Sequence, residues 1–234
     1  MLDDESSLAR HEIRFLQRTG YAPRTTTHTD AWVRGKELFF ATNEPGISTD
    51  GRGCATCHID GRDDNVVWDS PKGPRRTLSL AAVSDRSGPF GWKSENADRA
   101  AHMKASVTRL RGRGLPDQDV YALEEYVRSL AATPASEPTN ALVKQGRDIF
   151  RSPRAACSNC HIEERGFSDH ESHHVGTGAA YKTPTLVGVG AKTAWGHDGR
   201  FKSLEDMLSG TTMGHYRALD LDQRRQLVAY LASL

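Results

Sequence analysis

The chain has 234 residues, enough for one large domain or two of about 100 to 120 residues each. Its 31 basic and 30 acidic side chains leave a formal charge of +1 and are spread along the sequence, which argues against nucleic acid or an anionic membrane as the main partner. No window approaches the roughly eighteen apolar residues of a membrane span, and only 37% of the residues are hydrophobic, a low share for a globular core.

Residues 1–30 read as a lead-in. Ser7 to Arg18 is a candidate for a short amphipathic helix with Leu8, Ile13, Phe15 and Leu16 as its apolar members, and polar Thr25 to Asp30 follows. The start, Met1-Leu2-Asp3-Asp4-Glu5, is acidic and lacks the basic and apolar runs of a secretory signal. From Asp30 an internal repeat begins. Asp30 is the expected N-cap of a helix from Ala31 to about Phe40, as Thr139 or Asn140 is for Ala141 to Phe150. The two share a pattern, Arg34-Gly35-Lys36-Glu37-Leu38-Phe39 beside Gln145-Gly146-Arg147-Asp148-Ile149-Phe150.

Each helix leads into a Cys-x-x-Cys-His run: Cys54-Ala55-Thr56-Cys57-His58 and Cys157-Ser158-Asn159-Cys160-His161. A Cys-x-x-Cys can be a thioredoxin-like redox pair or half of a zinc site. Zinc is disfavoured because the pairs lie about 100 residues apart, much farther than in a zinc ribbon, and each is followed at once by His. The spacing suits c-type haem: two thiols add to the two vinyl groups of one porphyrin and the next residue presents an imidazole to the iron. Two covalently bound haem c groups, on Cys54/Cys57 with His58 and on Cys157/Cys160 with His161, use all four cysteines and add apolar mass to a lean core.

The repeat continues beyond the motifs. Ile59-Asp60 matches Ile162-Glu163, Arg76-Thr77-Leu78-Ser79-Leu80 with Val83 matches Lys182-Thr183-Pro184-Thr185-Leu186 with Val189, and Phe90-Gly91-Trp92 matches Trp195-Gly196-His197. Each half closes with a helix, Leu115 to Leu130 and Leu219 to Leu234, where Val120, Leu123, Val127 and Leu130 stand opposite Arg224, Leu227, Leu231 and Leu234. That spacing is one face of a helix, expected to pack on the first helix of its own half. Ala131 to Pro138, with Pro134 and Pro138 among small polar residues, reads as a linker. The expected fold is all-α: two cytochrome-c-like helical domains in a pseudo-repeat, over 31–130 and 139–234, joined by 131–138.

The second half resembles a known family. Lys182-Thr183-Pro184-Thr185-Leu186, then Trp195-Gly196-His197-Asp198-Gly199-Arg200-Phe201-Lys202-Ser203-Leu204-Glu205-Asp206, together with Phe167-Ser168-Asp169 and His174-Val175-Gly176-Thr177-Gly178, look like segments of the bacterial di-haem cytochrome c peroxidases and their MauG-type relatives. The resemblance runs over about residues 31 to 234 and is looser in the first half. It implies two haem domains facing a shared interface. The implied activity is reduction of hydrogen peroxide or, in the MauG branch, oxidation of a partner protein. One haem accepts electrons from a small donor protein, a cytochrome or cupredoxin, while the other meets peroxide.

The sixth ligands decide which role each haem takes, since a Met/His pair raises the potential and an open position admits peroxide. Met213, in the Gly- and Thr-rich loop Gly210 to Tyr216, resembles the family's distal Met for the second haem, with His215 and Tyr216 as local competitors. Met207 is expected in the core, with Met103 as its repeat equivalent. In the first half the matching position holds Arg109 or Leu110, leaving Met103 or His102, neighbours on a helix, or an open site. Peroxide cleavage needs an acid–base residue over the iron. The family uses a Glu near Ala101-His102-Met103; none stands there, so His102 offers the replacement, with Glu95 nearby.

Trp92 resembles the family's tryptophan between the haems. The family's interdomain calcium is put in question by Arg76, which stands near an expected Asn. The expected function is a peroxidase-like di-haem cytochrome; the alternative is a pure electron carrier with both irons six-coordinate. Because bacterial haem c is attached outside the cytoplasmic membrane, the expected location is the periplasm, the chain being a mature form or a piece of a longer exported one.

Overall fold

A computed structural model describes residues 28–81, 87–130 and 140–234. The helix expected over Ser7 to Arg18, Val83 of the repeat and the linker Ala131 to Pro138 lie outside the described residues. Among those described, seven α-helices dominate: α1 (Asp30–Phe40), α2 (Cys54–Cys57), α3 (Arg99–Arg109), α4 (Asp117–Ser129), α5 (Ala141–Arg151), α6 (Leu204–Gly210) and α7 (Leu221–Ala232). Two short antiparallel hairpins complete the fold, β1 (Val67–Trp68) with β2 (Arg75–Arg76) and β3 (Ser172–His174) with β4 (Ala180–Lys182). The fold is all-α, as expected, with one hairpin in each half.

The helix starts follow local chemistry. Thr29, not Asp30, caps α1, its hydroxyl accepting from the Trp32 amide at 3.2 Å, so Asp30 becomes the first helical residue and sets its carboxylate at the positive end of the helix. Asn140 caps α5 by accepting from the Leu142 amide at 2.8 Å. α4 starts at Asp117, just after Pro116, and α7 at Leu221, where Asp220 and Gln223 exchange bonds in a capping box.

Within each half the first and last helices cross closely, and the repeated glycine explains how. A Cβ on Gly35 would overlap the Ala122 carbonyl of α4 and lie 2.9 Å from the Tyr126 Cβ; on Gly146 it would overlap the Gln226 carbonyl of α7 and lie 2.8 Å from the Tyr230 Cβ. The rings beside these crossings match too: Phe39 sits 5.1 Å from Tyr126, and Phe150 sits 5.4 Å from Tyr230. Two hydrophobic clusters result. One holds Leu38, Phe39, Ile47, Leu123, Tyr126 and Val127; the other is built around Phe150, Tyr216, Leu227, Tyr230 and Leu231. Arg224, at the place of Val120, lays its guanidinium 5.1 Å over the Tyr216 ring, which keeps the apolar face covered.

A second shared device is the turn before α3 and α6. Phe90 pairs with Asn96, and Trp195 with Phe201, in matching antiparallel bridges. Asp98 then caps α3 and Ser203 caps α6. This register sets His102 opposite Met207 and Met103 opposite Leu208, correcting the expected pairing of Met103 with Met207. From here the halves part. α6 stops after 7 residues at Gly210, where a Cβ would meet the Phe201 ring at 2.7 Å and the Thr211 hydroxyl turns back to the Met207 carbonyl at 2.8 Å. Ala105 stands at that place in α3, which runs on for 11 residues to Arg109. The Met213 loop of the second half therefore has a helical turn as its counterpart, and Leu110 beyond it packs on the first core.

Candidate functional site

Both Cys-x-x-Cys-His motifs sit on tight turns, α2 for Cys54 and Cys57 and a 3-10 turn (Cys157–Asn159) for the second pair. Each motif's histidine is fixed by the next loop. Nδ1 of His58 bonds the Arg62 carbonyl at 3.3 Å and Nδ1 of His161 bonds the Phe167 carbonyl at 3.0 Å. A carbonyl on Nδ1 holds the proton there and leaves the Nε2 lone pair as the ligating atom. Burial pushes both imidazoles below their ordinary pKa, which keeps them neutral.

His58 and His161 line one cavity of about 550 Å³ that runs through both halves. Its wall is largely apolar, with Leu78, Leu80, Phe90 and Val127 from the first half and Phe150, Val189, Leu204 and Leu231 from the second. Cys157 and Cys160 belong to this wall; Cys54 packs instead against the first core. Burial raises the Cys54 and Cys157 thiols to about 11. A redox dithiol needs the opposite shift. Nor are all four sulfurs gathered in one cluster: among the described residues the sole metal-type group is Cys160, Asp169 and His173, whose ligand atoms lie within 4.8 Å of one another. Apolar walls, cysteines at the turns and two imidazoles anchored through Nδ1 fit haem better than zinc or dithiol chemistry.

The two ends of the cavity differ. At the second end Met213 and Met207 both face it; Met207, expected in the core, is a lining residue. Gly214, at φ 56, lets the Met213 loop close on the motif, since a Cβ there would overlap the Ala155 carbonyl's space at 2.5 Å and lie 3.5 Å from the Cys157 sulfur. The His215 amide bonds that carbonyl at 2.8 Å. Its two competitors point elsewhere: Tyr216 is buried in the second core, and exposed His215 places Nδ1 3.2 Å from the Arg154 carbonyl.

At the first end His102 and Met103 of α3 both line the cavity, and Met103 also packs against the first core. Nδ1 of His102 meets the Asn96 carboxamide at 2.9 Å and its ring stacks on Phe90 at 6.2 Å. Burial, helped by the positive Arg109, pushes His102 down to about 4. Glu95 is turned away from this end, accepting from the Lys93 amide at 3.0 Å and pairing with Lys72 at 3.4 Å.

Between the ends lies an aromatic group that the sequence disclosed only in part. Trp92 lines the cavity, donates its indole N–H to the Arg76 carbonyl at 2.9 Å, and packs edge-on to Tyr181 at 6.4 Å and His197 at 6.3 Å; those two stack at 3.9 Å. His197 stood in the repeat as the counterpart of Trp92, whereas Tyr181, just before the Lys182 segment, carried no signature. The seam beside them holds its own cations. Arg76, buried, donates to the Ala194 carbonyl, to Asn65 Oδ1 at 2.9 Å and to Asp63 at 3.5 Å, while Lys192 bonds the other Asp63 oxygen.

The chain is 24% identical to hydrazine synthase subunit gamma of Kuenenia stuttgartiensis over 267 aligned positions, 83% of this chain and 76% of that one. Several solved structures share the fold. Hydrazine synthase of Kuenenia stuttgartiensis superposes with a TM-score of 0.75 at 20% identity, over 90% of this chain and 89% of that one. A MauG-like protein associated with microbial copper homeostasis gives 0.68 at 15%, over 91% of each chain. The diheme peroxidase BthA from Burkholderia thailandensis gives 0.53 at 18%, over 79% of this chain and 71% of that one. Residues 140–233, which carry Cys157, Cys160, His161 and Met213, match the family model for di-haem cytochrome c peroxidase.

Proposed function

We propose that the chain is a di-haem c-type cytochrome of the peroxidase kind, with domains over 31–130 and 139–234. In this reading two covalent haems supply the redox chemistry: electrons from a small cytochrome or cupredoxin enter at the second seat, and hydrogen peroxide or a related oxidant is reduced at the first. The observation that carries it is the asymmetry of one cavity. Two similarly fixed histidines face it, yet Met213 lies at one end and His102 at the other.

Cys157, Cys160, His161 and Met213 would hold the second haem, and a thioether there favours the reduced state and electron uptake. Cys54, Cys57 and His58 would hold the first. Reduction of one peroxide takes two electrons and two protons and gives two waters. The local chemistry asks for a group that lifts a proton from one peroxide oxygen and returns it to the other. His102 offers such a group: its Nδ1 accepts from the Asn96 carboxamide nitrogen and a low pKa keeps the ring neutral, so the proton sits on Nε2, from which it would pass to one peroxide oxygen while the proton of the other oxygen replaces it. Trp92, between the ends, offers an indole for electron passage. The seam does not fit a calcium ion, because Arg76 and Lys192 already neutralise Asp63 and engage Asn65 and the Ala194 carbonyl. Covalent haem attachment supports a periplasmic or otherwise exported location, and no helix among the described residues is long and apolar enough to cross a membrane.

A second reading, a pure electron carrier, draws on Met103, whose thioether also lines the first end. Low-temperature EPR of the ferric protein, with peroxide turnover driven by a reduced small cytochrome, separates the two. The peroxidase reading expects turnover and a first-site signal that changes on peroxide-site substitution. Two low-spin signals and no turnover, oxidised or half-reduced, would sink it.

A further inference from the structure

The seam between the halves is built from two equivalent exchanges. Arg76 and Lys182 occupy the same place in the repeat, each the last residue of its half's second hairpin strand. Each backbone amide crosses to the other half: Arg76 to the His197 carbonyl at 2.8 Å, Lys182 to the Trp92 carbonyl at 2.9 Å. Each side chain crosses too. Arg76 reaches the carbonyl of Ala194, just before the Trp195–Phe201 turn, and Lys182 reaches those of Ser87 and Pro89, just before the Phe90–Asn96 turn, the latter at 2.6 Å. A cation from one half thus grips the turn that starts the other half's cavity-lining helix.

At the first end this grip bears directly on His102. The Lys182 ammonium lies 5.6 Å over the Phe90 ring, Phe90 stacks on the His102 ring at 6.2 Å, and Asn96, paired to Phe90 by backbone bonds of 2.7 and 3.1 Å, meets His102 Nδ1. Both neighbours that orient the imidazole therefore stand on the segment Lys182 holds. We propose that Lys182 of the second half is a positioning residue for His102 of the first, acting through Pro89, Phe90 and Asn96, so that the acid–base group of one haem site is set by the domain that carries the other. The inference rests on the role given to His102 above. Its physical basis is that a reacting group displaced by a fraction of an ångström loses much of its effect, and a ring held by stacking and one hydrogen bond moves when its support moves.

The test uses the full-length di-haem protein. Lys182→Met is expected to lower peroxide turnover about tenfold with the KM for the donor cytochrome unchanged, and to alter the first-site EPR signal but not the second. Phe90→Leu, which leaves the half-buried ammonium paired, is expected to do the same should Lys182→Met fail to fold. In a His102→Gln background neither change should slow turnover further, because residues acting through one group are not additive. If Lys182→Met and Phe90→Leu turn over like the unsubstituted protein, or multiply the His102→Gln defect, the positioning role is overturned. A His102→Gln protein with undiminished turnover would instead remove the role of His102, while the EPR comparison still reports whether Lys182 shapes the first site.

Discussion

The two halves share a scaffold, and the difference that sets their ends of the cavity apart lies where one helix stops. Both cross their first and last helices on a glycine, both fix a histidine by a backbone carbonyl, and both enter the next helix through the same bridged turn. They diverge after that turn, where Gly210 and Thr211 end α6 and release the Met213 loop while Ala105 lets α3 continue. A repeated fold can therefore line the two ends of its cavity differently through the choice of one helix length, because ending a helix converts a residue on a fixed face into one on an adaptable loop.

Substitutions at the shared scaffold should erase the comparison. Gly35→Val and Gly146→Val each force a side chain into a backbone carbonyl, and each is expected to cost about 3 kcal/mol or more in urea unfolding of the holoprotein. Similar losses from both would show that the crossings are equivalent; a silent variant would show that one is not.

Met213→Leu sharpens the difference. It is expected to convert the second-site EPR signal from low spin to high spin and lower that site's potential, whereas Met207→Leu leaves both unchanged; the reverse outcome would transfer the ligand to Met207. Gly214→Ala should act in the same direction with Met213 intact. A left-handed alanine costs about 1 to 2 kcal/mol, and its Cβ would press the loop away from Ala155 and Cys157.

The smallest effect concerns the helix pairs. In the first half Arg34 grips Asp119 through bonds of 3.0 and 2.8 Å, and Arg34 holds that carboxyl below its usual value; in the second half Gln226 donates to Gln145 at 2.8 Å. A carboxyl whose folded pKa is depressed adds stability above its unfolded pKa, about 3.9, and loses it as pH falls through the folded value. Stability of the first half should therefore fall below about pH 4 through this pair, by about 0.5 to 1 kcal/mol. Asp119→Asn should flatten that limb of the pH–stability curve, while Gln145→Ala leaves its shape alone.

Much of this was legible because it is local. The motifs, the repeat and the helix pairs depend on residues a few positions apart, as does the Asn140 cap. Thr29 took the other cap because its hydroxyl reached the Trp32 amide first. Met207 escaped because a residue on the apolar side of a helix can face a core or a cavity with the same periodicity. Tyr181 and His197 escaped because stacking leaves no pattern along the chain.

By itself the sequence determined the haem-type motifs, the all-α pairing of helices in each half and the absence of a thioether from the first-half segment opposite Met213, since spacing and periodicity write these into the order of residues. Only the tertiary structure decided that both histidines open on one cavity, that Met207 joins Met213 in lining it, and that Arg76 and Lys182 exchange grips across the seam. Those features come from side chains about a hundred residues apart meeting through packing, where direction and distance, not order along the chain, choose the partner.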